Sequence, residues 1–187
     1  MLSFPILNKG ILVITLVLTC IPLKSQIKPE VSLGLRYNSD VLLRTTHDNH
    51  PLAMEIGGGI NYNEKWYSGI NANFFKTKSS ITDAKHYLIE LELRRSLELK
   101  SMPKIDFFLS FRPGYILVDA YAYSSSTQLD LYKTLTISAS TGFSYSFSNH
   151  FKLSVWPGFT WLPQESSRLS DKQKIGFFSG TGLSYKF

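Results

Sequence analysis

The stretch that decides the fold lies at the carboxyl terminus, residues 174–187, KIGFFSGTGLSYKF. Its odd-numbered positions carry mostly large apolar side chains, and its even-numbered positions carry mostly small or charged ones. Strict alternation over this length predicts a β-strand with two chemically different faces. The stretch ends on an aromatic residue, Phe187. It sets the pattern to look for in the rest of the chain.

The same alternation recurs in seven earlier stretches, and no stretch after residue 30 has helical periodicity over a useful length. Most of the stretches reach the roughly 9–11 residues that a tilted transmembrane strand needs. Their number, eight in all, is even, as in bacterial single-chain barrels. The predicted strands cover residues 31–37, 54–62, 66–74, 87–94, 105–115, 134–147, 151–161 and 174–187.

The connections between these strands are sorted by length. Residues 63–65 and 148–150 form short connections, and 97–103 form a medium turn. The other four connections are predicted loops of eleven to sixteen residues, at 38–52, 76–86, 117–132 and 162–173. Short turns at one rim and long loops at the other are typical of outer-membrane barrels, whose short turns are periplasmic.

The less apolar face of the strands consists largely of Gly and Ser, which suits the narrow interior of an eight-stranded barrel. The apolar face carries aromatic rings near both strand ends, the arrangement of membrane-interface girdles. We therefore predict an all-β fold, an eight-stranded antiparallel up-and-down transmembrane β-barrel, over residues 26–187. Pro113 and Pro157 each remove a ladder donor from a predicted strand, and a bulge at either position would reconcile that proline with strand pairing.

Residues 1–25 read as a secretory signal peptide. Lys9 supplies its positive end, residues 11–21 are apolar, and Ser25 is a plausible cleavage residue. Cys20 raises the alternative of lipid attachment, although the small residue that normally precedes a lipidated cysteine is missing. Removing the signal lowers the formal net charge from +6 to +4, because it carries Lys9, Lys24 and no acid. This charge is too small to indicate a nucleic-acid partner.

The chain resembles the small eight-stranded outer-membrane barrels of the OmpA/OmpX type over residues 28–187. The resemblance rests on strand number, loop asymmetry, girdles and the terminal GLSYKF. It implies a bacterial outer-membrane location, contact with outer-membrane lipid, and a monomer. It also implies that Tyr185 and Phe187 belong to a signal read by the barrel-assembly machinery. Family members of this size include adhesion proteins, lipid A-modifying enzymes and proteins of unassigned role.

Charged residues on the inward face predict an ion-pair network that plugs the lumen, because isolated charges there would be costly. The alternative is a gated pore or proton path. The network residues are Arg36, Glu55, Glu90, Glu92, Arg94, Asp106, Arg112, Lys152 and Lys186.

The leading functional prediction is a structural or surface-interaction role without catalysis. A surface ligand would bind through loops 38–52 and 117–132, the second of which is rich in Tyr and Ser, as binding loops are. A narrow channel is a further alternative.

The runner-up to the leading prediction, ahead of the channel, is an enzyme that modifies lipid A or phospholipid at the outer rim, using His47, His50 or His86. The run His47-Asp48-Asn49-His50 lacks a third ligand at a spacing that suits a metal ion. We therefore expect neither a metal nor a cofactor.

Overall fold

The computed structural model describes residues 27–38, 52–62, 65–78, 82–98, 101–122, 128–162 and 175–187. They form eight antiparallel strands, each paired with the next, and β1 closes the barrel against β8. This confirms the predicted eight-stranded up-and-down barrel. The strands are β1 Lys28–Asn38, β2 Leu52–Tyr62, β3 Trp66–Lys78, β4 Thr82–Glu98, β5 Ile105–Ala122, β6 Gln128–Ser146, β7 Phe151–Trp161 and β8 Ile175–Lys186.

Three of the predicted segments cannot be compared with the structure. The signal peptide, residues 1–25, lies outside the described residues, and so do nearly all of the loops predicted at 38–52 and 162–173. Within the described ranges, no helix is long and apolar enough to cross a membrane.

The apolar face of the sheet points outward. Each of the eight strands exposes at least three large apolar side chains, among them Leu33 on β1 and Leu183 on β8, which are register partners. The opposite face is buried, as Ser184 of β8 and Gly142 of β6 show. Soluble monomers rarely expose apolar patches beyond a few hundred Å². A continuous belt of this kind is the lipid-facing surface of a transmembrane barrel.

Aromatic side chains mark both ends of the belt. The exposed rings at the short-turn rim are Trp66, Tyr145, Phe147, Phe151 and Phe187, and those at the opposite, upper rim are Tyr37, Phe74, Tyr87, Tyr115 and Trp161. Tyr62, which ends β2 at the short-turn rim, is buried and does not belong to the exposed set. The two sets of rings place the membrane interfaces at the two ends of the barrel wall.

Two predicted loops are largely strand. Residues 76–78 and 82–86 form the ends of β3 and β4, and residues 117–122 and 128–132 form the ends of β5 and β6. The apolar alternation stops there because the outward side chains become charged, as at Lys76 and Lys85. Strand pairing nevertheless continues. Hydrophobic pattern marks the lipid-facing part of a strand and not its end.

Among the described residues, the sheet of β4, β5 and β6 therefore extends beyond the other strands at the upper rim. The ladder between β6 and β7 ends at Ile137↔Trp161, whereas β6 extends back to Gln128. Its residues 128–136 add roughly 30 Å of strand beyond the end of β7, at about 3.3 Å per residue.

The bulges that would reconcile Pro113 and Pro157 with strand pairing are absent from the described strands. Instead, the ladder between β4 and β5 lacks two consecutive pairs at Pro113, and the ladder between β6 and β7 lacks two at Pro157. Both ladders resume in the same register. Each proline pairs normally with its other neighbouring strand. The one register shift in the described ladders lies between Val118 and Ala120.

Candidate functional site

The inward face of the strands brings the nine predicted charged residues into the lumen. Arg36 of β1 lies at the centre of one group. Its guanidinium donates to the Glu90 carboxylate at 2.8 Å and to the Thr160 hydroxyl at 3.0 Å. Glu90 also accepts from the Ser138 hydroxyl at 2.6 Å and from the Asn73 amide at 3.4 Å. These five residues come from five different strands, so this group spans the whole lumen.

Arg112 of β5 is the centre of the second group. It donates to Glu55 at 3.2 Å and to Glu92 at 3.1 Å. The Ser110 hydroxyl donates to Glu92 at 2.9 Å, and the Asn71 amide donates to the other oxygen of that carboxylate at 2.7 Å. All five side chains are buried. The Asn71 amide and the Ser110 hydroxyl thus add hydrogen bonds to the Glu92 carboxylate beyond its ion pair, which stabilises a buried charge.

The two groups form one network, since Arg112 is also 4.0 Å from Glu90. Aromatic rings cover both guanidinium groups. Arg36 lies 3.7 Å from the centre of the Phe178 ring, and Arg112 lies 5.7 Å from the centre of the Trp156 ring. A cation over a ring face is a favourable contact, more so when water is excluded.

A third ion-paired group lies nearer the short-turn rim and involves a residue that the sequence prediction missed. Arg94 pairs with Glu30 at 2.6 Å and lies 4.2 Å from the centre of the Tyr67 ring. The Asn61 amide donates to the other Glu30 oxygen at 2.9 Å. The first predicted strand starts at Val31 and therefore excludes Glu30. Its parity with the inward residues of β1 was the signal that could have found it.

The remaining predicted charges lie at the same rim. Lys152 pairs with Asp106 at 2.9 Å, and these side chains are 26% and 17% exposed. Lys186 is the register partner of Glu30 and so lies on the same inward face. The network thus passes from fully buried pairs in the middle of the barrel to partly hydrated ones at the rim.

Apolar layers fill the lumen around the ion pairs. A layer at the upper rim is formed by Ala53, Phe75, Leu88, Ile116 and Leu162, and a lower cluster is formed by Phe108, Trp156 and Phe178. Between Glu55, Arg94 and Trp156 lies a cavity of about 20 Å³, which has room for about one water molecule. The bulky inward residues of the upper layer were not predicted. Paired apolar residues such as Phe74-Phe75 interrupt the alternation and were the available signal.

His86 is the one proposed catalytic histidine within the described part of the chain; His47 and His50 lie outside it. His86 is buried on the inward face and stacks on Phe75, with ring centres 4.4 Å apart and planes 5° apart. The enzyme alternative requires this side chain at an outer rim open to lipid. Its position inside the upper apolar layer does not fit that role. Among the described residues, no group of three or more His, Cys, Asp or Glu could hold a metal ion.

The carboxyl-terminal residues form an aromatic group at the short-turn rim. The Phe187 amide donates to the Pro29 carbonyl at 3.0 Å, which fastens the chain end to β1. Tyr185 contacts both Phe187 and Phe151 edge-to-face, with ring centres 4.9 Å apart in each case. Recognition of Tyr185 and Phe187 by the barrel-assembly machinery stays a prediction.

No protein-family model matches the sequence, and no curated protein matches it. Solved structures do match. Neisserial surface protein A superposes with a TM-score of 0.62 at 13% identity, over 86% of this chain and 96% of that chain. The N-terminal barrel domain of Pseudomonas aeruginosa OprF gives 0.59 at 11% identity, over 88% and 100%.

Ail, the attachment invasion locus protein of Yersinia pestis, gives a TM-score of 0.57 at 8% identity, over 88% of this chain and 100% of that chain. Identities this low carry information about fold and none about activity. The chain has the fold of the small eight-stranded outer-membrane barrels.

Proposed function

We propose that this protein is an exported barrel of the bacterial outer membrane that contacts a partner outside the cell and performs no catalysis. The contact surface is the upper part of β4, β5 and β6, called here the projecting sheet. The observation that carries the proposal is the length of β6, whose residues 128–136 extend past the end of β7. The membrane location is supported by the apolar belt and by the fold of the similar structures.

The projecting sheet is longer than membrane crossing requires. β4, β5 and β6 contain 17, 18 and 19 residues, whereas a tilted transmembrane strand needs about 9–11. The excess of roughly eight residues adds about 26 Å of strand at 3.3 Å per residue. Backbone pairing between β5 and β6 continues as far as Tyr121↔Gln128. A surface held by strand pairing is already ordered, so a partner would bind it with little loss of conformational entropy.

The filled lumen supports a non-conducting barrel. Ion pairs in the middle and an apolar layer at the upper rim leave a cavity that holds about one water molecule. A continuous water path would require the Arg36–Glu90 and Arg112–Glu92 pairs to separate. Each of these residues is at most 3% exposed, so separation would leave a buried charge unpaired, which costs several kcal/mol.

A trimmed variant tests the role of the projecting sheet. Residues 118–132 are replaced by Asn-Gly, which joins the register partners Leu117 and Lys133 through a two-residue hairpin turn. A matched control replaces only residues 123–127 with Gly and Ser at the same length. Bacteria carrying each form are compared for adhesion to immobilised extracellular proteins and polysaccharides.

The trimmed barrel is expected to assemble at the normal level, with folded and boiled forms migrating differently on gels, and to lose the contacts that the wild type makes. The control is expected to keep them. The proposal is refuted if the trimmed form makes the same contacts as the wild type. It is also refuted if the wild type makes no contact beyond those of cells lacking the protein.

A further inference from the structure

An apolar furrow runs down the outside of the barrel from its upper rim. Its upper part has a volume of about 340 Å³ and is lined by Leu35, Leu52, Met54, Phe74 and Tyr87, among other residues. Its lower part, of about 390 Å³, shares Leu35 and Met54 with the upper part and continues to Leu33, Leu153 and Leu183. The shared residues show that the two parts adjoin each other on the lipid-facing wall, where together they form the furrow.

The lower part of the furrow contains one small residue in a row of large ones. Thr181 on β8 pairs with Leu35 on β1 and with Val155 on β7. A threonine between larger apolar side chains leaves the wall recessed at that place, and Gly34 and Gly182 form part of the furrow's floor. The recess is elongated and apolar, a shape that suits acyl chains.

Two lysines stand at the upper end of the furrow. Lys76 on β3 and Lys85 on β4 are exposed and directly opposite each other in the ladder, and both line the groove. Like charges in directly opposed positions repel each other. The register partner of Lys85 on β5 is Asp119. Its single negative charge offsets only one of the two positive charges of Lys76 and Lys85. An anionic ligand would relieve the remaining repulsion.

The height of the lysines identifies the kind of anion. The two lysines are two residues above Phe74 and Tyr87 on the same face of the sheet. Phe74 and Tyr87 pack edge-to-face with ring centres 5.9 Å apart. Rings of the upper girdle lie at headgroup level, so the ammonium groups reach the layer of lipid phosphates. A phosphate held there would be attached to acyl chains that extend down the furrow.

We propose that the furrow is a binding site for a phosphorylated acyl lipid of the outer leaflet, with its phosphate between Lys76 and Lys85 and its acyl chains against Leu35, Met54 and Leu183. In a bacterial outer membrane this lipid is lipid A. The proposal rests on the proposed function only for the orientation of the barrel, with the projecting sheet outward.

The test measures lipid retention by the purified barrel in detergent, using native mass spectrometry with bisphosphorylated lipid A, its dephosphorylated form, and phosphatidylethanolamine. The variant K76Q/K85Q removes both charges, and K65Q/K104Q removes two exposed lysines at the short-turn rim as a matched control. Thr181→Leu fills the furrow, and Ala139→Leu makes the same kind of change on the outer face of β6, which does not line the furrow.

Wild type is expected to bind bisphosphorylated lipid A more tightly than the other two lipids. K76Q/K85Q should weaken that binding about thirtyfold, or about 2 kcal/mol, from the contribution of two basic groups near an anionic surface. It should not change the binding of the dephosphorylated form. Thr181→Leu should weaken the binding of both forms. Both control variants should bind as the wild type does.

Equal retention of the phosphorylated and dephosphorylated lipids by the wild type would overturn the proposal, as would unchanged binding by K76Q/K85Q. Folding of each variant is checked by heat-modifiable gel migration. If the barrel folds and requires detergent but shows no preference for the phosphorylated lipid, only the lipid-site proposal is contradicted. A protein that is soluble without detergent contradicts the membrane location and hence both proposals.

Discussion

The Arg112→Met substitution is expected to destabilise the barrel by about 4 kcal/mol. Arg112 is 3% exposed and pairs with Glu55 and Glu92. Removing one partner from a buried ion pair costs about 3–5 kcal/mol, because the other charge is left uncompensated. Glu92 keeps its bonds from Asn71 and Ser110. The Glu55 carboxylate has no other hydrogen bond among the described residues, so most of the cost arises there.

If most of the cost arises at Glu55, the double variant R112M/E55Q should recover part of the stability and lose only about 2 kcal/mol relative to the wild type. The reason is that a neutral amide at position 55 costs less free energy to bury than a carboxylate. The measurement is urea unfolding of barrels refolded into lipid vesicles, followed by tryptophan fluorescence and gel migration. Lys152→Met is the matched control. The Lys152–Asp106 pair is partly exposed, so its loss should cost about 1 kcal/mol or less. Equal losses for the two single variants, or no recovery in the double variant, would refute the account of the network.

Three further outcomes are expected. Gly180→Ala places a methyl group closer to the buried Trp156 ring than van der Waals contact allows and should cost about 1–3 kcal/mol, whereas Gly58→Ala, whose nearest atom is 3.9 Å away, should cost under about 0.5 kcal/mol in the same unfolding assay. Deleting Phe187 should lower the amount of barrel in the membrane more than the stability of the barrel that does assemble; a normal membrane level would contradict the assembly signal. Planar-bilayer recordings should show no steady conductance, and stable openings of uniform size would contradict the filled lumen.

The predictable part of this fold is the part in contact with lipid. Where one strand face meets acyl chains and the other meets the lumen, side-chain chemistry must alternate, and residues 175–187 show it almost without exception. The assignment of the Gly- and Ser-rich face to the interior followed from the narrow bore of eight strands. Both features depend on the local pattern of one strand at a time.

The extent of the strands could not be predicted in the same way. Beyond the headgroups both faces of a strand meet water, so backbone pairing no longer requires apolar alternation. Residues 117–132 therefore looked like a loop although most of them are paired strand. At the prolines, the sequence predicts a disruption of strand pairing but not its form. A missing donor at Pro113 or Pro157 is accommodated by a local gap in one ladder, which the sequence does not distinguish from a bulge.

The choice of partners within the lumen depends on contacts that no single strand contains. Parity placed Arg36 and Glu90 inside, but their pairing follows from the closed barrel, which brings β1 and β4 face to face across the bore. The layer of large apolar residues at the upper rim was missed for the same reason. Four of its members come from four different strands and Leu162 directly follows β7, and only closure brings them together.

The ion pairs add a form of register control that alternation cannot supply. A slip of β1 by one residue would turn Arg36 toward lipid, where a mid-membrane arginine costs about 2–4 kcal/mol. A slip by two residues preserves both faces, so the alternation does not oppose it. It would, however, shift Arg36 by about 7 Å along the strand and separate it from Glu90 and Thr160, which lie on other strands. Alternation thus excludes odd slips, and the cross-lumen pairs exclude even ones. The seam between β1 and β8, where Gly34, Gly180 and Gly182 give little side-chain specificity, is the place where this second control is needed most.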